Sequence, residues 1–178
     1  MTYYGAKELA TAFRTVRKNT ITLAEEIPAD NYDFTPASGL RSVRGQLAHI
    51  SVATRWQIRL YRDGVTFVDF ERFGGEMARG ATEEQALATK DQIIAALRAD
   101  GEEFASFLES LEEERLADTI GFPVHPPTKS RFELLLGVKE HEMHHRAQLM
   151  LIQRLLGIVP HLTRQREAMR DAATAGKA

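Results

Sequence analysis

Apolar residues recur every three or four positions along four long segments of this chain, and that repeat limits its fold more than any other feature. Such spacing is typical of amphipathic helices that bury one face. No stretch of any length alternates apolar and polar residues in the way that a half-buried β-strand does. The sequence therefore predicts an all-α protein, a four-helix bundle, with helices over about residues 3–26, 42–64, 82–111 and 130–157.

The connection between the second and third helices is long. It covers residues 64–81, because Thr82 and Gln85 form a capping box that predicts the start of the third helix. Its length would let it cross the bundle from end to end, so that the second and third helices run parallel; periodicity alone leaves an up-down-up-down order open. Three phenylalanines in it either wall a pocket or pin the loop as a hydrophobic cluster: Phe67, Phe70 and Phe73.

The last two helices have clear boundary signals. Ser130 and Glu133 form a second capping box, and Gly157 is expected to end the fourth helix. The apolar repeat of the third helix passes through Gly101 without a break, so we expect one continuous helix in which this glycine allows close packing or a kink. His125 falls in the proline-rich connection before Ser130 and is expected to be exposed to solvent.

The length of the chain limits the number of domains, and its net charge limits the class of binding partner. Its 178 residues suffice for one domain with a substantial core. We assign residues 1–162 to the bundle and residues 163–178 to a polar C-terminal tail or short helix, with His161 exposed at their junction. The net charge of −2 gives no general attraction to nucleic acid or anionic lipid. Without a signal core or a membrane-spanning run, a cytoplasmic protein with no membrane partner is expected.

Three of the six histidines lie within five residues of the fourth helix: His141, His144 and His145. At about 100° per residue, His141 and His145 sit one turn apart and about 40° apart around the helix axis, so that both can grip one ion. His144 points about 100° away from His145. The pair also falls on the apolar line of the helix, which contains Leu134, Val138, Leu149, Ile152 and Leu156.

Two histidines in line on an apolar face need hydrogen-bonding or metal partners, because a buried imidazole without partners is costly. A pair at i and i+4 is a known zinc-site geometry and favours one shared metal. The alternative is two core histidines that are satisfied by separate hydrogen bonds. His49 lies in the inward arc of the second helix and is the candidate for a third ligand, although alone it would be interpreted as a core histidine.

The order of these residues resembles the DinB-like family, which is also grouped with YfiT. The resemblance rests on His49 within Leu47-Ala48-His49-Ile50, followed much later by the run from His141 to Gln148, and it covers nearly the whole chain. Trp56 and the Leu155-Leu156-Gly157 end of the fourth helix fit as well, whereas Ala147 stands where the family commonly has glycine. The resemblance implies an up-down-down-up bundle, often a homodimer, and a divalent metal, zinc or nickel, held by His49, His141 and His145.

Three neutral imidazoles would leave a coordination position open, which is the pattern of catalytic rather than structural metal sites. The resemblance implies relatives that are similar to metal-dependent thiol S-transferases and maleylpyruvate isomerases, in which the metal activates a low-molecular-weight thiol. Because the chain contains no cysteine, any thiol would come from a low-molecular-weight cofactor. We therefore expect a metal-dependent thiol S-transferase or isomerase acting on a small molecule. The alternatives are a non-catalytic, stress-related protein that binds a metal or small molecule, and a metal-free bundle.

Overall fold

The computed structural model describes residues 4–175 and shows the predicted four-helix bundle. Its long helices are α1 (Ala6–Glu26), α2 (Val43–Arg62), α4 (Lys90–Glu109) and α5 (Arg131–Leu155). Two further helices are α3 (Phe70–Gln85) and α6 (His161–Ala175), and a short antiparallel hairpin pairs β1 (Thr119–Gly121) with β2 (Thr128–Ser130). The predicted start at Tyr3 and the last three residues of the predicted tail lie outside the described part of the chain.

The core forms two clusters that show how the helices run. The first halves of α1 and α5 pack with the second halves of α2 and α4, through residues that include Phe13, Ile58, Phe104 and Val138. The second halves of α1 and α5 pack with the first halves of α2 and α4, through residues that include Leu23, Leu47, Ile93 and Leu149. The α2 and α4 helices therefore run in the same direction, opposite to α1 and α5.

A buried ion pair lies inside the bundle. The Nε of Arg17 donates to both carboxylate oxygens of Glu142, at 3.1 and 3.0 Å, and its other nitrogens donate to the carbonyls of Leu97 and Ile50. A Cβ atom added at Gly101 would lie 2.7 Å from the Cγ atom of Arg17. The expectation that Gly101 allows close packing is thus confirmed, and the group that approaches it is the Arg17 side chain.

The prediction of a loop over residues 64–81 is wrong, because most of this segment belongs to α3. Asp69 caps the helix by accepting a hydrogen bond from the backbone nitrogen of Arg72. No side chain of α3 is buried, and its large apolar residues, Phe70, Phe73 and Met77, cover only two helical turns, too short a repeat to mark a core helix in the sequence. The segment also contains three glycines, each of which lowers helix stability by about 1 kcal/mol relative to alanine: Gly74, Gly75 and Gly80.

The first predicted capping box is also wrong. Thr82 lies inside α3, where its hydroxyl donates to the carbonyl of Ala78. The helix that follows begins after Thr89, whose side chain caps the backbone nitrogen of Gln92 and whose own backbone nitrogen donates to the Gln92 side chain. The box at Ser130 is confirmed, since its hydroxyl accepts from the backbone nitrogen of Glu133.

Two later segments of the chain pack on α1. Glu113, in the connection after α4, accepts a hydrogen bond from the backbone nitrogen of Ala6 at 3.0 Å and thereby caps α1. The prediction that His161 is exposed is wrong: it is 5% exposed and its Nε2 lies 3.3 Å from the side-chain oxygen of Asn19. The predicted tail continues as α6 to Ala175. Within the described residues, no helix combines the length and hydrophobicity needed to cross a bilayer.

Candidate metal centre

The structure brings His49, His141 and His145 together. One ring nitrogen from each lies within 4.8 Å of the others. The Nε2 of His141 lies 3.1 Å from the Nε2 of His49 and 3.1 Å from the Nε2 of His145. The antiparallel packing of α2 on α5 is what places His49 opposite a pair that the helical repeat already aligned.

Hydrogen bonds behind the rings set which nitrogen faces the centre. The Nδ1 of His49 lies 2.6 Å from an oxygen of Glu84, and the Nδ1 of His145 lies 3.0 Å from the side-chain oxygen of Gln148. A carboxylate accepts hydrogen bonds, so the Nδ1 of His49 carries the proton and its Nε2 presents a lone pair. Gln148 acts in the same way on His145, and Gln46 in turn donates to the Gln148 oxygen. Metal-binding histidines are typically oriented by such partners.

The arrangement fits a divalent metal. Lone pairs that converge on one point repel each other unless a cation lies between them. Tetrahedral zinc with Zn–N bonds of about 2.0–2.1 Å places its ligand nitrogens about 3.3 Å apart, and the two measured Nε2–Nε2 distances are 3.1 Å. Three nitrogen ligands leave the fourth position of such a site free for a further ligand.

The protonation states suit metal binding as well. Burial, together with the neighbouring His145 and His49 rings, lowers the pKa of His141 to about 4. Burial also lowers the pKa of His145, against the opposing effect of its hydrogen bond with Gln148. Both imidazoles are therefore neutral at pH 7, which keeps their lone pairs available to a metal.

His141 and His145 lie at the edge of the buried face of α5 and not at its centre, where the sequence analysis expects them, although Val138 and Leu149 of the same predicted line are buried. His141 and His145 are half-buried, while the fully buried positions of this helix include Val138, Glu142 and Leu149. The apolar repeat does not show that the buried face extends to Glu142, because a charged residue is not expected at a core position. The Glu142 carboxylate points away from the three histidines, since Arg17 holds it inside the bundle.

The run from His141 to His145 has the spacing His-Glu-x-x-His, in which the glutamate of zinc proteases acts as the general base. Here the Glu142 side chain is 2% exposed and bound to Arg17 at 3.0 Å, on the other side of α5. It therefore does not reach the three imidazoles, and the site has no general base from this motif. His144 is exposed and contacts Gln148 through its Nε2 at 3.1 Å, consistent with a role outside the triad.

A cavity of about 600 Å³ opens beside the histidines, between α2, α3 and α5. Its walls combine apolar side chains with a few charged ones, among them Trp56, Phe73, Met77, Leu134, Arg41 and Lys129. Phe73 packs edge-on against Trp56 with the ring centres 5.9 Å apart, so one of the three phenylalanines of this segment does wall a pocket. Phe67 instead packs against Gly121, and His125 is exposed as predicted.

Comparison with known sequences identifies the family. The sequence model of the DinB superfamily matches residues 12–149, a span that includes all three histidines. The chain belongs to the DinB superfamily. The resemblance found in the sequence is thereby confirmed. Comparison with curated proteins finds no significant match.

Solved structures share the DinB fold. The DinB-like protein YjoA of Bacillus subtilis is 23% identical, with a TM-score of 0.64 over 84% of this chain and 92% of that one. YfiT of Bacillus subtilis, described as a probable metal-dependent hydrolase with an unusual four-helix bundle topology, is 16% identical, with a TM-score of 0.67 over 89% and 91%. The colibactin self-resistance protein ClbS, solved with double-stranded DNA, is 12% identical, with a TM-score of 0.66 over 86% and 98%. At these identities the likeness establishes the fold alone.

Proposed function

We propose that this DinB superfamily protein is a divalent-metal-dependent enzyme that transfers a small thiol to an apolar molecule or isomerises it with the help of that thiol. The observation that carries the proposal is the convergence of three Nε2 atoms at the edge of an apolar cavity of about 600 Å³. His49, His141 and His145 are its metal ligands, and zinc or nickel suits such a nitrogen donor set. A metal held there supplies Lewis acidity, which lowers the pKa of a thiol or water at its open position.

The residues around the centre favour a thiol over water as nucleophile. Hydrolysis at such centres commonly uses a carboxylate that removes a proton from water. Glu142 is held inside the bundle by Arg17, and Glu84 is hydrogen-bonded behind the ring of His49. A thiol ionises much more readily than water and needs no such base. Since the chain has no cysteine, the thiol comes from a separate small molecule.

The apolar lining of the cavity indicates which kind of second substrate it binds. Trp56, Phe73 and Met77 offer an apolar surface that binds a hydrophobic body and excludes water from the centre. In the transfer reaction the thiol sulfur forms a bond to an electrophilic carbon of that body. The bond from this carbon to its leaving group breaks, and the leaving group departs with the electron pair while the thiol proton is released to solvent.

Two alternatives use the same residues. One is hydrolysis, the activity named as probable for YfiT. The other is a binding protein that holds a metal or small molecule without turnover and so needs no catalytic group besides the histidines. Incubation of the metal-loaded protein with chromogenic electrophiles separates them. Turnover that requires an added low-molecular-weight thiol supports transfer, turnover without thiol supports hydrolysis, and stoichiometric binding without turnover supports the binding protein.

We also propose that the protein is a homodimer that pairs through α5. Met143, Leu151 and Leu155 are 43%, 61% and 61% exposed and, with Ala147, form a row spaced by four residues. Large apolar side chains in one exposed row are typical of an interaction surface. A net charge of −2 gives no reason to expect a nucleic-acid partner, and the double-stranded DNA bound by ClbS is a property of that protein.

A further inference from the structure

The α3 helix forms one wall of the cavity and contributes nothing to the core. The residues that it turns toward the cavity follow one helical face and include Phe73, Met77, Gly80 and Glu84. None of its side chains is buried, and none of the three core clusters contains a residue of α3. Its separation from the bundle would therefore open the cavity and leave the core intact.

Ion pairs at the cavity rim hold α3 against α2. Arg59 donates to Glu76 at 2.9 Å through its Nε, and Arg55 lies 3.4 Å from Glu83. Both pairs are partly shielded from solvent, with side-chain exposures of 11–29%, but they are polar contacts whose groups regain hydration when the helices separate, unlike buried apolar side chains. The glycines at 74, 75 and 80 further reduce the stability of the isolated helix. Segments with few buried contacts are the ones that open locally in a native protein.

One side chain connects α3 to the histidine centre. Glu84 accepts a hydrogen bond from the Nδ1 of His49 at 2.6 Å through one oxygen, and from Arg41 through the other. Burial raises the pKa of Glu84, but the bonds from His49 and Arg41 outweigh this effect and hold its pKa below the usual value. The carboxylate lies behind the ring, so it orients His49 and leaves the Nε2 free for the metal.

We propose that α3 is a lid whose closure and metal binding stabilise each other through Glu84, a positioning residue for the metal ligand His49. The inference rests on the metal site proposed above. With the lid closed, Glu84 holds the proton of His49 on Nδ1 and makes Nε2 a better ligand. By reciprocity, a metal on Nε2 strengthens the hydrogen bond from Nδ1 to Glu84 and thereby favours the closed lid.

The first test is the affinity for Zn²⁺, measured by competition with a chromogenic chelator. We expect Glu84→Ala to weaken binding by about 10–100-fold, as for other partners behind metal-bound histidines. Glu84→Gln should weaken it less, because the amide oxygen still accepts from Nδ1. Glu71→Ala is the matched control, since it removes an exposed carboxylate from the same helix that touches no histidine of the triad; its affinity should stay within about threefold of wild type, because it leaves the partner behind His49 intact.

The second test is hydrogen exchange of the α3 amides. Zn²⁺ should slow exchange over residues 70–85 in wild type and in Glu71→Ala, and this difference should disappear in Glu84→Ala. Zn²⁺ binding that leaves α3 exchange unchanged, or a Glu84→Ala affinity equal to that of wild type, would overturn the lid inference and leave the metal site standing. A wild-type chain that binds neither Zn²⁺ nor Ni²⁺ would overturn both.

Discussion

The Nε2 atoms of His49 and His141 lie 3.1 Å apart although the two residues are 92 positions apart in the chain. The two histidines come from antiparallel helices of the bundle, and His145 completes the group one helical turn further along α5. Hydrogen bonds at Nδ1 orient two of the rings: His49 bonds to Glu84 and His145 bonds to Gln148. The three rings are thus held in the arrangement that the proposed metal site requires.

Removal of one ligand should abolish metal binding. Wild-type protein purified without a nickel column should contain about one equivalent of divalent metal per chain by elemental analysis. His49→Ala and His145→Ala should contain almost none, because two imidazoles bind much more weakly than three. His144→Ala is the control and should retain the metal, since His144 is exposed and contacts Gln148. Loss of metal in His144→Ala with retention in His49→Ala would contradict the assignment.

A bulky side chain in the cavity should block the substrate without disturbing the metal. Ala81 is exposed and lines the cavity from α3, so Ala81→Trp occupies part of the space that the substrate needs. We expect KM to rise by about tenfold or more, which is the size of effect expected from lost contacts in an apolar pocket, while metal content stays unchanged. The same substitution at the exposed Ala78, outside the cavity lining, should leave KM near the wild-type value.

Breaking the buried pair of Arg17 and Glu142 should destabilise the bundle strongly. Their side chains are 4% and 2% exposed, so Glu142→Leu leaves an unpaired guanidinium in the core. We expect the free energy of unfolding to fall by about 3–5 kcal/mol, measured by urea denaturation, and to recover in large part in the double variant Arg17→Met/Glu142→Leu. The exposed pair of Arg62 and Glu103 is the control. Its disruption should cost less than about 1 kcal/mol.

Replacing glycine by alanine should change the stability of the protein in opposite directions at two helical positions. Gly101→Ala places a methyl group 2.7 Å from the Cγ atom of Arg17. We expect it to lower stability by about 1–3 kcal/mol despite the better helix propensity of alanine. Gly137→Ala meets no atom within 4 Å, and should raise stability by up to about 1 kcal/mol. Thermal unfolding followed by circular dichroism measures both, and a stabilising Gly101→Ala would refute the close approach.

The exposed row on α5 should carry the dimer. Light scattering of the wild-type protein should give twice the chain mass, and Leu151→Glu with Leu155→Glu should give the single mass because both side chains are 61% exposed in one chain. Met169→Glu is a control on α6, where a methionine is 70% exposed. It should leave the dimer intact. A monomeric wild type would remove this proposal and leave the metal centre unaffected.

The pair of His141 and His145 shows which part of the site follows from the geometry of a single helix. His141 and His145 share a face because both belong to one helix, and helical rise and rotation are set within four residues. Capping at Ser130 and the continuous repeat through Gly101 are local in the same way. The bundle follows from four such stripes, because each must bury its apolar face against the others.

Glu84 shows the opposite case. Its helix buries no side chain, and its large apolar residues, Phe70, Phe73 and Met77, follow helical spacing over only two turns. The sequence therefore predicts a loop here, followed by a cap at Thr82. The Glu84 carboxylate can orient His49 only because α3 packs on α2 in the folded protein. Glu142 likewise looks like a surface residue in the sequence, because its buried partner Arg17 belongs to α1, 125 positions away.

The sequence by itself determined the all-α bundle, the alignment of His141 with His145 and the DinB resemblance, because these depend on repeats and spacings within single segments. The tertiary structure alone decided that His49 meets that pair, that Glu84 and Gln148 orient the rings, and that α3 walls the cavity. These relations join side chains from different helices. Their geometry depends on helix direction and packing, which no pattern within one segment contains.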